Sequence, residues 1–413
     1  MDEPPLASRG RARRAVALMG IAALALAVAA AAYLGVGARP RPARPPGPPP
    51  ELASLDWLPD GGGWVVLRDR ASGRSVLFHT ADAGRHWERQ FATVTALVTV
   101  RFIDSQRGIL TERDTGNSNA TVLRTDDGGD HWAPIPLPME TDRQPTLADF
   151  VDPDHGWLLV SADREPIARD VDILQTEDGG LDWSRLVRVD RDHPAGGGLD
   201  EAPTKTSLWF QTDRDGWLGA VAPDGSVVLY VTHDGGVAWR RSILPAPPGG
   251  WNAGDALLLS RPRISPDGRG AFVVTDLNRL DATLGRPPPA VPIPPPVLVY
   301  VSGDGGDTWA DPRPAPAGVD PRTAGSGFVN GETGWLGAGS TLWLTTDSGR
   351  TWSRQPDLPG GHPMAYLAPA DGSVAAVQVV TGTSTVFGDF PWRLMLTEDG
   401  GRTWRPVAAP ALS

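Results

Sequence analysis

From about residue 51 onward the chain consists of short apolar runs, each closed by a cluster of Gly, Asp, Asn, Ser or Pro. Runs such as VDILQ (171–175), SVVLYV (226–231) and STLWLT (340–345) are too short for helices and rich in β-branched and aromatic residues, so they predict strands. Two phrases punctuate them. The first is a box, Ser/Thr-x-Asp-x-Gly-x-x-Trp, written seven times: TADAGRHW (80–87), TDDGGDHW (125–132), TEDGGLDW (176–183), THDGGVAW (232–239), SGDGGDTW (302–309), TTDSGRTW (345–352) and TEDGGRTW (397–404). The second precedes each box: an apolar stretch, a polar turn, then Gly with an apolar partner, as in LADFVDPDHGWLLV (147–160) and LWFQTDRDGWLGAV (208–221). Each unit therefore predicts strand A, turn, strand B, loop, strand C, box turn and strand D. Seven such units predict an all-β fold, a seven-bladed β-propeller of four-stranded antiparallel blades over 51–413, at about 52 residues per unit.

Within the box, a hydroxyl and a carboxylate two residues apart can accept backbone N–H groups of a tight turn, and glycine supplies its positive φ. Asp82, Asp127, Asp178, Asp234, Asp304, Asp347 and Asp399 accordingly read as structural, closing the C–D hairpins. Trp87, Trp132, Trp183, Trp239, Trp309, Trp352 and Trp404 fall on the outgoing strand, where a large ring can bury against a neighbouring sheet.

Residues 1–50 obey different rules. RGRARR (9–14) precedes 24 uncharged residues (15–38), and RPRPARPPGPPP (39–50) follows. As a helix 15–38 would span about 36 Å, enough for a bilayer core. We read 1–14 as a cytoplasmic basic N-terminus, 15–38 as one transmembrane helix, 39–50 as a stiff Pro/Arg-rich linker, and 51–413 as the propeller, outside the cytoplasm by the positive-inside rule. A cleaved secretory signal is the alternative, and Arg13–Arg14 also allows twin-arginine export.

Composition narrows the chemistry. No cysteine is present, which removes disulfides and thiolate chemistry. Residues 51–413 carry 31 Lys and Arg against 47 Asp and Glu, a formal charge of −16, a poor match for nucleic acid. Lys205 is the only lysine, which reads as compositional bias. No glycine-rich phosphate loop opens a helix, so no cofactor is expected. The histidines show no ligand spacing, and His79, His86, His131 and His233 read as solvated positions in or beside boxes. DRDGW (213–217) and DPDHG (152–156) resemble calcium loops faintly but serve as turns without an ion, so no metal is expected.

The boxes resemble the Asp-box (BNR) repeats of bacterial neuraminidases, and ETGWLGAGSTLWLTTDSGRTWSRQ (332–355) is similar to the repeat of the photosystem II assembly and stability factors, a family of seven-bladed propellers. That resemblance covers about 51–408 and implies that the box is a rim turn away from the centre. A sialidase-like enzyme would need three arginines, a tyrosine with its glutamate, and an acid in the central funnel. The family's opening Arg-Ile-Pro is absent, RPRISP (261–266) in the fifth unit being the nearest sequence, and Tyr230 and Tyr300 lie just before boxes.

Antiparallel topology puts the A–B and C–D turns on one edge and the variable B–C and D–A loops on the other, where binding is expected. The long loops carry Arg164, Arg169, Arg191, Asp192, Trp251, Arg261, Arg263, Arg279, Arg286, Arg313 and Arg322 as candidate partner-binding residues, with Trp251 the aromatic anchor. The reading is a non-enzymatic, membrane-anchored propeller binding a protein partner or assisting assembly of a membrane complex. The rival is a glycoside hydrolase or glycan-binding propeller, which two carboxylates in the funnel backed by arginines would favour.

Overall fold

The computed structural model describes residues 50–113, 120–136, 144–161, 169–251, 257–276, 297–316, 325–338, 341–356, 358, 362–369, 374–380 and 392–412. The expected transmembrane span 15–38 lies outside them, and among the described residues no helix is long and apolar enough to cross a membrane.

Seven antiparallel sheets form in chain order, over 51–93, 96–134, 144–189, 204–242, 257–314, 325–354 and 362–407, each from one contiguous stretch. Blade 1 is typical: Glu51–Trp57, Gly63–Arg68, Ser75–Thr80 and Glu88–Thr93. Six blades have four strands as the repeats predict. In blade 5 the first strand is split into Leu257–Leu259 and Arg263–Ile264, both paired with Gly270–Asp276. Middle strands are buried on both faces, as the six residues of Gly156–Ser161 show, while fourth strands such as Ser353–Arg354 are exposed.

The box is a closed circuit of hydrogen bonds. In all seven copies the first-position hydroxyl donates to the Asp Oδ1 at 2.8–3.0 Å. The same oxygen accepts the glycine N–H four residues on, at 2.7–3.0 Å. Oδ1 in turn accepts the backbone N–H four residues after the Asp, at 2.8–3.0 Å. A hydroxyl has one proton and two lone pairs, so this geometry satisfies it where water cannot reach. The turn also requires a left-handed residue just before the box glycine: Gly179 has φ 71°, and Ala83 and Ser348 take φ 58° and 60° where glycine is missing. That residue's N–H reaches the A–B turn of its own blade, as in Gly128 to the Gln106 carbonyl at 2.7 Å and Gly179 to Asp154 at 2.8 Å, so two turns are pinned together.

Aromatic rings join neighbouring blades. Trp64 of blade 1 stacks on Phe102 of blade 2 (3.5 Å, 8°), and Phe102 meets the box Trp132 edge-on (5.9 Å, 88°). Trp157, Phe210 and Trp239 repeat the arrangement between blades 3 and 4 (3.6 Å and 6°, then 5.9 Å and 79°). Each box tryptophan thus lies in the apolar layer shared with the preceding blade. The glycine opening strand B makes room for the ring: a Cβ on Gly156 would stand 2.3 Å from Phe150, and one on Gly216 2.6 Å from Phe210.

The ring closes without a shared strand. Blades 1 and 7 meet through a mixed core including Leu52, Phe78, Leu394, Leu396 and Val407. Trp87 Nε1 donates to the Ala408 carbonyl at 2.7 Å, Arg405 to the Ala83 carbonyl at 2.8 Å, and Trp392 Nε1 to the Pro50 carbonyl at 2.7 Å.

Thr176→Val keeps the shape of a side chain that is 1% exposed but strands the Gly180 N–H, and should lower unfolding stability by about 1–3 kcal/mol in denaturant titration. Gly156→Ala should cost a similar amount, about 1–3 kcal/mol, through overpacking against Phe150. The same change at Gly303, where nothing stands within 4 Å of a Cβ and φ is not positive, is the control for crowding.

Candidate functional site

At the centre of the ring lies a cavity of about 370 Å³ lined by the ends of first strands and the residues that follow them. Leu55–Pro59 come from blade 1, Arg101–Ile103 from blade 2, Phe150–Val151 from blade 3, Ser260, Arg261 and Arg263 from blade 5, and Ser326–Phe328 from blade 6. These ends lead into the A–B turns, so the cavity sits on the box-turn edge. The long loops, where the sequence leads us to expect binding, lie on the opposite edge.

Buried carboxylates link the innermost strands. Asp56 Oδ2 accepts the Phe102 N–H at 2.6 Å, and Asp149 Oδ2 accepts the Phe210 N–H at 2.7 Å. Each acid precedes the aromatic of its own first strand and binds the aromatic's backbone in a neighbouring blade. Arg261 closes on Asp149 at 2.9 and 3.1 Å and donates to the Phe210 carbonyl, while Arg101 stands 3.7 Å from Asp56. Burial pushes the Asp56 carboxyl above the usual carboxylate range despite Arg101 and the Phe102 amide. Burial likewise pulls Arg261 down, against the attraction of Asp149. Arg263 is pulled down to about 9 by burial first and then by the positive charges of Arg261 and Arg101.

Among the described loop residues singled out from sequence, Arg261 and Arg263 are on the central wall. The tract Leu257–Leu259 followed by Ser260-Arg261-Pro262 reads as loop, but both its ends pair with Gly270–Asp276. Proline has no N–H for the ladder, so the strand breaks there, and Ser260 Oγ accepts the Val273 N–H at 2.8 Å to bridge the gap. Trp251 is half-buried against the core between blades 4 and 5. Arg191 and Asp192 are exposed, Arg169 is exposed, and Arg313 is half-buried on the fourth strand of blade 5. Arg164, Arg279, Arg286 and Arg322 lie outside the described residues.

Two residues given bland readings in the sequence have defined work. Lys205 is fully buried, its Nζ donating to the carbonyls of Arg169, Asp200 and Glu201 at 3.0, 2.6 and 3.0 Å. Burial pulls its ammonium down to about 8. With Leu199 buried and the Gly197 carbonyl accepting the Trp239 N–H at 2.7 Å, the tract 188–205 is pinned at several points, while residues 191–195 stay exposed. His233 is no mere solvated rim residue either. Its Nδ1 meets Asp215 at 2.7 Å and its Nε2 meets Asp307 of blade 5 at 2.9 Å, and Arg240 also bonds Asp307. His79 is half-buried and stacked on Trp64 at 4.6 Å, and burial lowers its pKa.

No family model matches the chain. Over 149 residues it is 30% identical to the photosystem II assembly lipoprotein Ycf48 of Synechococcus sp. (strain CC9902), a stretch covering 36% of this chain and 37% of that protein. The match therefore spans little more than a third of the relative's length. Ycf48 from Cyanidioschyzon merolae superposes with a TM-score of 0.52 at 16% identity, over 86% of this chain and 97% of that one. A Ycf48 bound to D1 peptide superposes with a TM-score of 0.49 at 17% identity, over 88% and 95%. The sequence match bears out the likeness of these repeats to the photosystem II assembly factors, and the first superposition agrees in fold.

An imidazole between two carboxylates can donate to both only when it carries both protons. Burial pulls the His233 pKa down, but the hydrogen bonds to Asp307 and Asp215 outweigh it and hold the value above the ordinary one. With the folded value raised, the tie between blades 4 and 5 is fully present below about 6.5, the unfolded value, and lost as pH rises through the folded one. His233→Gln should flatten the stability profile in that window, and proton NMR titration of the ring should read the raised value directly.

Proposed function

We propose that the chain is a membrane-anchored propeller, held outside the cytoplasm by residues 15–38, that binds a protein and assists assembly of a membrane complex without catalysing a reaction. The observation that carries this reading is the sequence match to a photosystem II assembly lipoprotein over 149 residues. The box array supports it too: seven rigid turns hold a ring whose centre offers a charged cavity, a platform suited to docking a chain segment. The partner's class is a membrane protein, and photosystem II is its identity only if the source is photosynthetic.

A glycoside hydrolase is the second reading, because Asp56 lines the cavity with a raised pKa and Asp149 stands just behind the wall, backed by arginines. What argues against it is how these acids are used. A hydrolytic pair needs one carboxyl free to protonate the leaving group and another free to attack or to activate water. Here Asp149 is closed by Arg261 and the Phe210 amide, and Asp56 holds the Phe102 amide.

The full-length chain, tagged at its C-terminus and cross-linked in the membranes of its own source, should recover a defined membrane protein in stoichiometric yield. Recovery of none, together with turnover of 4-methylumbelliferyl glycosides that Asp56→Asn abolishes, would replace the scaffold by the hydrolase.

A further inference from the structure

The aromatic layer between blades has an unfilled place at the seam of blades 7 and 1. On the second strand, the residue after the opening glycine carries the ring that stacks on the next blade: Trp64 on Phe102 at 3.5 Å and Trp157 on Phe210 at 3.6 Å. The second strand of blade 7 is Ala375–Val380, and Ala375 pairs with Thr397 as Gly156 pairs with Thr176, so Ala376 holds the place of Trp157. The ring waiting in blade 1 is Trp57, which pairs with Gly63 where blades 2, 3, 4 and 6 put Phe102, Phe150, Phe210 and Phe328. The box Trp87 stands edge-on to Trp57 at 6.2 Å, but among the described residues no ring stacks on its face.

A cavity of about 350 Å³ lies here, lined by Trp57, Ala83, Val374 and Leu396 among others, and Leu396 is directly across the ladder from Ala376. Ala83 corresponds in the box to Gly235, whose carbonyl accepts the Trp157 N–H at 2.7 Å. The cavity thus borders the three landmarks that surround an indole between blades 3 and 4: the first-strand ring, the third-strand neighbour and the left-handed box residue. Trp57 is 3% exposed and its Nε1 has no hydrogen-bond partner, which marks surroundings that are incomplete. A small residue on the second strand is not sufficient for such an opening: Ala271 holds the same place in blade 5 and packs in one core with Phe328, Val297 and Val299.

The polar groups of the wall select among planar occupants. Asp60, Asp82 and Glu398 repel a carboxylate. Arg85 shares the wall and Arg405 holds Glu398 at 3.1 Å, so an incoming guanidinium meets like charge. A neutral ring with one N–H meets neither objection. The Ala83 carbonyl is already taken by Arg405 at 2.8 Å, which leaves the exposed carboxylate of Asp60 as the acceptor for that N–H.

We propose that this seam is a seat for one tryptophan side chain of the protein partner, its ring against Trp57 and its N–H on Asp60. The occupant is the group that the chain itself supplies between blades 3 and 4, and a tryptophan buried in a pocket is a common anchor of interfaces. The proposal rests on the protein-binding reading and adds to it a site and a residue type.

The test is isothermal titration of the full-length chain in detergent micelles with the acetyl amides of tryptophan, leucine and arginine. Ala376→Trp, which returns the chain's own ring to the seat, is the blocked reference in the same micelles. The tryptophan amide should bind one site at least tenfold more tightly than the leucine or arginine amide, and Ala376→Trp should lose that binding without a fall in melting temperature, because it fills a cavity. Val374→Trp, which plugs the seat from its wall, replaces Ala376→Trp if that chain fails to fold. Asp60→Ala should weaken the tryptophan amide at least threefold. Equal binding of the leucine amide, tighter binding of the arginine amide, or undiminished binding of the tryptophan amide by a folded plugged variant overturns the proposal.

Cross-linking in membranes separates the two levels. Capture by the wild-type chain that the plugged variant retains in full overturns the seam as docking point and leaves the scaffold reading standing. Absence of capture by the wild type overturns the scaffold reading and the partner as source of the ring, while the titration decides the seat itself.

Discussion

A single buried hydroxyl per blade is the hinge of this architecture. By donating to the box carboxylate and accepting the box glycine N–H, it fixes a turn that would otherwise bury unsatisfied amides. The turn then sets the A–B hairpin of its own blade through one further amide, and sets the direction of the outgoing tryptophan. With that tryptophan in place, the first-strand phenylalanine has an edge to meet and the tryptophan of the preceding blade has a face to stack on. The interlocking is sequential. No blade's aromatic layer is complete until its neighbour's turn is formed.

The same network governs how the molecule meets acid. The carboxylates of Asp127 and Asp399 are held near a pKa of about 2, the first chiefly by the His131 backbone amide, the second chiefly by the Thr403 hydroxyl. Both are lowered relative to the unfolded chain, so what they contribute is present above about 4 and lost as pH falls through the folded value. The other five box aspartates are shifted in the same direction, so every box turn loses support as pH falls.

Much of this was legible beforehand because the information is local. A hydroxyl, a carboxylate and a glycine within five residues specify a turn, and alternation around Gly-Trp specifies a strand, so blade number, strand order and the structural use of the box acids could be read directly. The centre was not legible, because its contacts are long-range: Asp149 and Arg261 are 112 residues apart, and nothing near either one names the other. Pro262 concealed a strand by breaking it, and the glycine-rich composition of 188–205 concealed a connector whose order comes from Lys205 and Leu199. Local grammar reported the scaffold; charge balance in the middle needed coordinates.

Closure by side chains alone has an evolutionary and practical corollary. Because each sheet is one uninterrupted stretch of chain, a cut in any connector between blades severs no hydrogen-bonded ladder. The gene of such a protein can be rearranged end to end, or lengthened by a whole unit, without dismantling a sheet. The seam between Trp87 and Ala408 is then one boundary among seven, held by the same kinds of side-chain contact as the others.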